Sequence, residues 1–257
     1  MRHSLAVFLL LTLVACSSDS SPKPDSANTL SAEEMYRDAK ESLDNEYYEA
    51  AIRKLESLQS RYPYGRYAQQ ALLEVAYAYY KQNEPVSAIS AAERFIKQFP
   101  NSPHVDYAYY VIGLAHFKGE KSLLDSLGRQ DPTERDPKAS QDSFDAFKDL
   151  VTRFPDSKYA PDSIVRMQYL TNALAKYEIH VAQYYLRRGA HISAVNRAKE
   201  VLTKYPKAPA TYDALLIMVQ GYDALGLKEL RDDAQRVLDL NFPGKKKTGV
   251  PLQQSEE

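Results

Sequence analysis

Five times along this chain an aromatic residue is followed directly by proline: Tyr62-Pro63, Phe99-Pro100, Phe154-Pro155, Tyr205-Pro206 and Phe242-Pro243. Proline cannot continue a helix and disfavours helical geometry in the residue before it, so each pair marks a helix stop. The aromatic ring is free to fold back on the helix just ended. Counting back from the aromatic by 11, 7 and 4 residues gives Ala51, Leu55, Leu58; Ala88, Ala92, Phe95; Ser143, Phe147, Leu150; and Ala194, Ala198, Val201. One small-to-apolar helical face is thus written four times. Counting forward by 9 and 13 gives Ala71 and Val75, Ala108 and Ile112, Ser163 and Met167, Ala214 and Met218, a second helix that repeats as well. Small residues let helices approach closely, and two repeating faces find partners when successive helix pairs stack side by side.

This layout resembles the tetratricopeptide repeat, a unit of about 34 residues folded as two antiparallel helices. The expected fold is all-α, a superhelical array of about five helix-turn-helix repeats. The second and fifth stops follow their predecessors by 37 residues, the third and fourth by 55 and 51. In the third unit the segment GEKSLLDSLGRQDPTERDP, residues 119–137, interrupts the two helices and is expected to be an inserted loop docked through Leu123, Leu124 and Leu127. In the fourth, no Gly or Pro falls between Asp162 and Arg188. Its first helix is therefore expected to run about 40 Å, at about 1.5 Å per residue, and to project beyond its neighbours. The fifth unit shifts its core by one residue, to Ala234 and Leu238, as terminal caps of repeat arrays do. The repeats then occupy 32–118 and 138–242, and the final stretch, 243–257, reads as a disordered tail.

Ahead of the repeats, Arg2 and His3 precede an apolar run from Leu5 to Leu11 and then Thr12-Leu13-Val14-Ala15-Cys16, the layout of a secretory signal. A spanning helix needs about 20 apolar residues, and this run is too short. Leu13-Val14-Ala15-Cys16 resembles the bacterial lipobox. Residues 1–15 are accordingly expected to be cleaved, and Cys16 to carry a covalent lipid, diacylglycerol plus an N-acyl chain. Cys16 is the only cysteine in the 257 residues, so an internal disulfide is excluded. Several acyl chains on one residue make a lasting anchor where a single chain binds marginally. Ser17, rather than Asp, follows the cysteine; by the same resemblance this implies the outer membrane of a Gram-negative bacterium, with the protein on its periplasmic face. Residues 16–31 are rich in Ser, Pro and Asp, cannot bury a core, and read as a tether that reaches roughly 20 Å.

The formal charge is −1, from 33 basic and 34 acidic residues, which favours protein partners over nucleic acid. No glycine-rich phosphate loop, paired metal-spaced histidines or Gly-x-Ser-x-Gly elbow occurs, so no catalytic residue, metal ligand or cofactor is assigned beyond the lipid. His104, His116, His180 and His191 stand singly, and pairs such as Asp145 and Asp149 read as a solvated helix face. Among the twenty tyrosines, those of the stretches 62–67 and 77–80 are the most suggestive, because tyrosine serves interfaces at low ordering cost. Tyr62, Tyr67 and Tyr79 are candidates for a groove that receives an extended peptide, against the plainer reading that they pack between repeats.

The segments RYPYGRYAQQ (61–70), AYYKQ (78–82), ERDP (134–137), LAKYE (174–178), VAQYYLRRGA (181–190) and AVNR (194–197) together resemble the BamD (YfiO/ComL) family of outer-membrane β-barrel assembly lipoproteins. The resemblance covers nearly the whole mature chain. It implies a non-enzymatic scaffold and receptor subunit of the β-barrel assembly (BAM) complex. Its C-terminal repeats would bind a POTRA domain of the central barrel protein, smaller BAM lipoproteins would attach, and its N-terminal repeats would receive targeting segments of unfolded outer-membrane proteins. Carried onto these residues, Arg188, Asn196 and Arg197 fall in the matching segments as partner contacts, with Tyr62 and Tyr67 on the substrate side. An arginine fork pairs bidentately with a carboxylate, which suits a specific contact; for Arg197 an internal pairing with an acid such as Glu200 is equally open. The rival readings are another periplasmic repeat lipoprotein, serving cell-wall synthesis or polysaccharide export, and a cell-wall hydrolase. The second would need a catalytic domain for which no stretch longer than 119–137 remains.

Overall fold

The computed structural model describes residues 30–127 and 137–245. Cys16, the signal and nearly all of the tether lie outside the described residues, as do 128–136 and 246–257. Within them the chain forms ten helices and no strand: α1 (Ala32–Asp44), α2 (Tyr48–Arg61), α3 (Arg66–Lys81), α4 (Pro85–Gln98), α5 (Val105–Leu127), α6 (Lys138–Arg153), α7 (Ala160–Arg187), α8 (His191–Lys204), α9 (Thr211–Ala224) and α10 (Lys228–Asn241). Each helix packs on the next, and α1 with α3, α3 with α5 and α7 with α9 also touch, so successive helix pairs stack on one another. This is the all-α repeat array expected from the spacing of the helix stops.

Each of the stops ends a second helix. Tyr62, Phe99, Phe154, Tyr205 and Phe242 cap α2, α4, α6, α8 and α10 with φ from −127° to −132° and ψ from 50° to 71°, away from helical values as a following proline requires. Every one still donates its N–H to the carbonyl four residues back, so the last turn closes before the chain leaves. Phe154 packs on Tyr109 at 6.0 Å between ring centres and Phe242 on Tyr212 at 5.2 Å, so these caps also join the two helices of a pair. At the opposite end α1 begins with a capping box: Ser31 Oγ accepts from the Glu34 N–H at 3.3 Å, and Glu34 Oε2 accepts from the Ser31 N–H at 2.8 Å.

Between the first and second helices of four pairs the same turn recurs. The residues at Glu46, Asn83, Gly189 and Gly226 take φ of 61°, 65°, 72° and 71°. The next residue in each case donates back to a carbonyl five positions earlier, as Tyr47 does to Ser42 at 2.8 Å and Leu227 to Tyr222 at 3.0 Å. This is the Schellman closure, which favours glycine; a side chain with a Cβ costs roughly 1 kcal/mol there. Glu46 carries that strain in the first turn.

The repeating face is the core. All twelve residues of the backward count, from Ala51 to Val201, are at most 1 % exposed, as are Ala71, Val75, Ala108, Ser163 and Ala214 of the forward count. Ser143 keeps its hydroxyl at a fully buried position by donating to the Gly113 carbonyl at 2.9 Å, which removes the penalty of an unpaired polar group. Gly113 lies under Phe147 so closely that a Cβ would sit 2.5 Å from the ring. Ala234 and Leu238 are the buried residues of α10.

Two expectations need correction. The helix α5 runs on to Leu127, so the segment read as an inserted loop from residue 119 begins as a continuation of helix; Glu120, Lys121, Leu123, Leu124 and Leu127 are good helix formers, and Gly119 alone does not stop them. The docking expected of Leu123, Leu124 and Leu127 concerns side chains outside the described ones. Secondly, α7 reaches the expected length, at 28 residues about 42 Å, but it does not stand clear of the array. Its first half joins α5 and α6 through Met167 and Leu170, which pack with Phe117 and Phe147, and its second half joins α8 and α9 through Ala175, Ile179 and Ala182. Where α6 hands over to α7, Tyr159 stacks on Tyr110 at 4.7 Å and lies 5.1 Å from Tyr107, while Ser157 Oγ donates to Asp106 at 2.6 Å. Three residues of the expected tail are also placed: Pro243, Gly244 and Lys245 form a turn in which Lys245 Nζ lies 4.4 Å from the Tyr212 ring centre.

Replacing Gly113 by Ala is expected to overpack the α5–α6 contact and lower the unfolding free energy by about 1–3 kcal/mol, read from the midpoint of urea denaturation followed by circular dichroism.

Candidate peptide groove and partner face

The first helices of the first three pairs, α1, α3 and α5, leave between them a groove of about 630 Å³. Its chemistry is set by Tyr36, Lys40 and Asp44 of α1, Glu46 of the following turn, Glu74 and Tyr77 of α3 and Tyr107 of α5. The α3 contributors, Gln70, Leu73, Glu74 and Tyr77, follow the three-and-four spacing of one helical stripe beside its buried face. A second opening of about 750 Å³ adjoins it across Tyr36 and Lys40 and adds Arg37, Arg66 and Tyr67.

At the centre lies Glu74, whose side chain is 21 % exposed. The Tyr36 hydroxyl donates to its Oε1 at 2.7 Å, and Lys40 Nζ stands 3.5 Å from the same oxygen and 3.4 Å from Asp44. Its Oε2 is buried and has no hydrogen-bond partner among the described residues. Burial, then the bond to Glu74, pushes the Tyr36 hydroxyl well above the usual tyrosine range, so it stays a donor throughout the physiological range. Burial, then neighbouring Tyr159, raises Tyr107 likewise. Burial alone would lower the Lys40 ammonium, but Glu74 and Asp44 outweigh it and raise its pKa.

Of the three tyrosines singled out in the sequence, Tyr67 joins this surface. Its ring lies 5.3 Å from that of Tyr36, and the Arg66 guanidinium sits 4.6 Å over it while donating to its hydroxyl at 2.7 Å. Tyr62 and Tyr79 are elsewhere. Tyr62 donates to the Leu30 carbonyl at 2.9 Å, just ahead of α1, and Tyr79 lies 3.5 Å from Glu56 across the α2–α3 contact. Tyr36, Glu74 and Tyr107 were missed, and Tyr77 was noted only as part of the stretch 77–80. A signal existed for Tyr107: in the column eight after each stop, Gln70, Tyr107, Asp162 and Asp213 are polar or aromatic where the next residue is small.

At the other end, Arg188 caps α7, is exposed, and its side chain has no ion pair or hydrogen bond among the described residues. Asn196 is exposed on α8. Arg197 pairs internally, but with Glu178 of α7 rather than Glu200: Nη1 donates to Glu178 Oε2 at 3.1 Å, while Glu200 is taken by Lys204 at 2.7 Å. The Arg197 side chain remains 43 % exposed against 14 % for Glu178, so the acid orients a guanidinium whose other donors still face outward. No cluster of three or more His, Cys, Asp or Glu residues placed to hold a metal occurs among the described residues.

Comparison with known proteins bears on the whole array. The chain is 42 % identical over 241 residues to the outer membrane protein assembly factor BamD of Neisseria meningitidis serogroup A, covering 93 % of this chain and 90 % of that protein. It is 35 % identical to the BamD of Vibrio cholerae, over 93 % of this chain and 98 % of the relative, and 33 % identical to that of Haemophilus influenzae, over 99 % and 95 %. The family model described as YfiO, outer membrane lipoprotein, matches residues 28–237, and the chain belongs to that family.

Proposed function

We propose that this chain is the scaffold and receptor subunit of an outer-membrane β-barrel assembly machine, acting by binding rather than by catalysis. Two surfaces divide the work. The tyrosine-walled groove of the first three pairs receives targeting segments of unfolded barrel proteins, and the face bearing Arg188, Asn196 and Arg197 docks a POTRA domain of the central barrel subunit, with smaller lipoproteins attached beside it. The observation that carries this reading is a family relationship running through every repeat, joined to a concave groove at one end of the array and, at the other, an exposed arginine with no partner among the described residues. A groove between helices offers an extended strand apolar walls and hydrogen-bond donors such as Tyr36 and Lys40. An exposed guanidinium without an internal partner is available to a carboxylate of another protein at no cost in broken contacts.

Both arginines are testable, and they are expected to behave differently. Arg188→Glu should deplete the copurifying POTRA-bearing barrel protein about tenfold or more, in line with the loss of an interface charge pair, and leave the melting temperature unchanged. Arg197→Glu should do the same and also lower the melting temperature, because the new carboxylate faces the half-buried Glu178. Full retention of the barrel protein by both variants would end the docking proposal.

Cys16→Ser should abolish incorporation of labelled palmitate and shift the protein from the membrane to the soluble periplasmic fraction; no helix among the described residues is long and apolar enough to cross a membrane.

A further inference from the structure

We infer that the groove between α1, α3 and α5 discriminates by charge, favouring an extended segment of an unfolded barrel protein that carries a lysine or arginine beside an aromatic side chain, with Glu74 as the specificity-determining residue. The inference rests on the reading that this groove receives such segments.

Three observations converge. The first is the balance of charge on the wall. Asp44, Glu46 and Glu74 line it with Lys40, which is already shared between Asp44 and Glu74 at 3.4 and 3.5 Å, and the one further ammonium at the wall is that of Lys81, beside Tyr48, Tyr77 and Glu46, so three carboxylates stand against two ammonium groups. The second is the geometry of Glu74. Tyr36 and Lys40 fix one oxygen, and the other is buried without a partner among the described residues, an arrangement that carries a desolvation cost until a donor arrives. The terminal torsion of a glutamate is broad, so a small turn of the carboxylate presents that oxygen to a ligand in the groove without disturbing the helix. The third is that the tyrosines of this wall already hold a cation. Lys81 Nζ lies 5.8 Å from the Tyr48 ring centre and 6.0 Å from that of Tyr77, so the faces of these rings suit an ammonium or guanidinium.

Glu46 fits the same account. It stands in a left-handed turn where the fourth and fifth pairs have Gly189 and Gly226, and its side chain lines the groove. A strained backbone position occupied by a carboxylate is retained here at a cost that glycine would remove.

The test uses the full lipidated chain in detergent and fluorescence anisotropy with short synthetic peptides, identical except for one position beside a phenylalanine, filled by Lys, Gln or Glu. The Lys peptide is expected to bind roughly tenfold more tightly than the Glu peptide, the size of one charge-assisted hydrogen bond. Glu74→Gln keeps the acceptor for Tyr36 and should erase most of that preference at an unchanged melting temperature. Glu46→Gly should weaken the preference while the melting temperature holds or rises, since glycine suits the turn. If the three peptides bind native protein alike, or if Glu74→Gln leaves the preference intact, the inference is overturned while the receptor reading stands. If none of them binds, the receptor reading of the groove falls, and this inference with it.

Discussion

The structure depends on helix–helix contact through residues too small to hold two helices apart. Ala51, Ala88, Ser143 and Ala194 occupy the same place in four successive second helices, and all are fully buried. Larger side chains three to seven residues on, such as Phe95 and Phe147, then fill the space that close approach creates, as the contact of Phe147 with Gly113 illustrates. Dispersion and apolar burial act over the whole length of each pair, and the aromatic-proline stops end the second helices of the first four pairs at the same distance from their cores. A groove of defined shape follows, because the first helices are held side by side by partners behind them.

Much of this was legible in the chain itself. The stops, the buried faces and the long α7 rest on local rules of backbone geometry and helical periodicity, and these act over a few residues whatever surrounds them. What a helix meets on its far side is not local. The sequence shows that α7 is uninterrupted; that both its halves are covered depends on α5, α6, α8 and α9, which are distant in the chain. The continuation of α5 past Gly119 shows the limit of reading glycine as punctuation when good helix formers follow.

The groove was less legible than the fold. Tyr62 and Tyr79 drew attention because tyrosines cluster near them, yet a cluster in sequence spreads around a helix, and only some of its members share a side. Tyr67, Glu74 and Tyr77 share one; Tyr79 faces α2. The tyrosine that completes the groove, Tyr36, lies on α1, the one first helix of a pair that no aromatic-proline stop precedes, so counting from the stops never reached it. For Arg197 the acid nearest in sequence had a lysine of its own, and Glu178, a helix away, became its partner.

The continuous helix α7 belongs to two cores at once, one shared with α5 and α6 and the other with α8 and α9. Arg188 closes one end of this helix, and Tyr159, stacked on Tyr110 and close to Tyr107 of the groove wall, opens the other. One helix of 28 residues thus spans the distance between the two surfaces, and any change in its seating is felt by side chains of both cores.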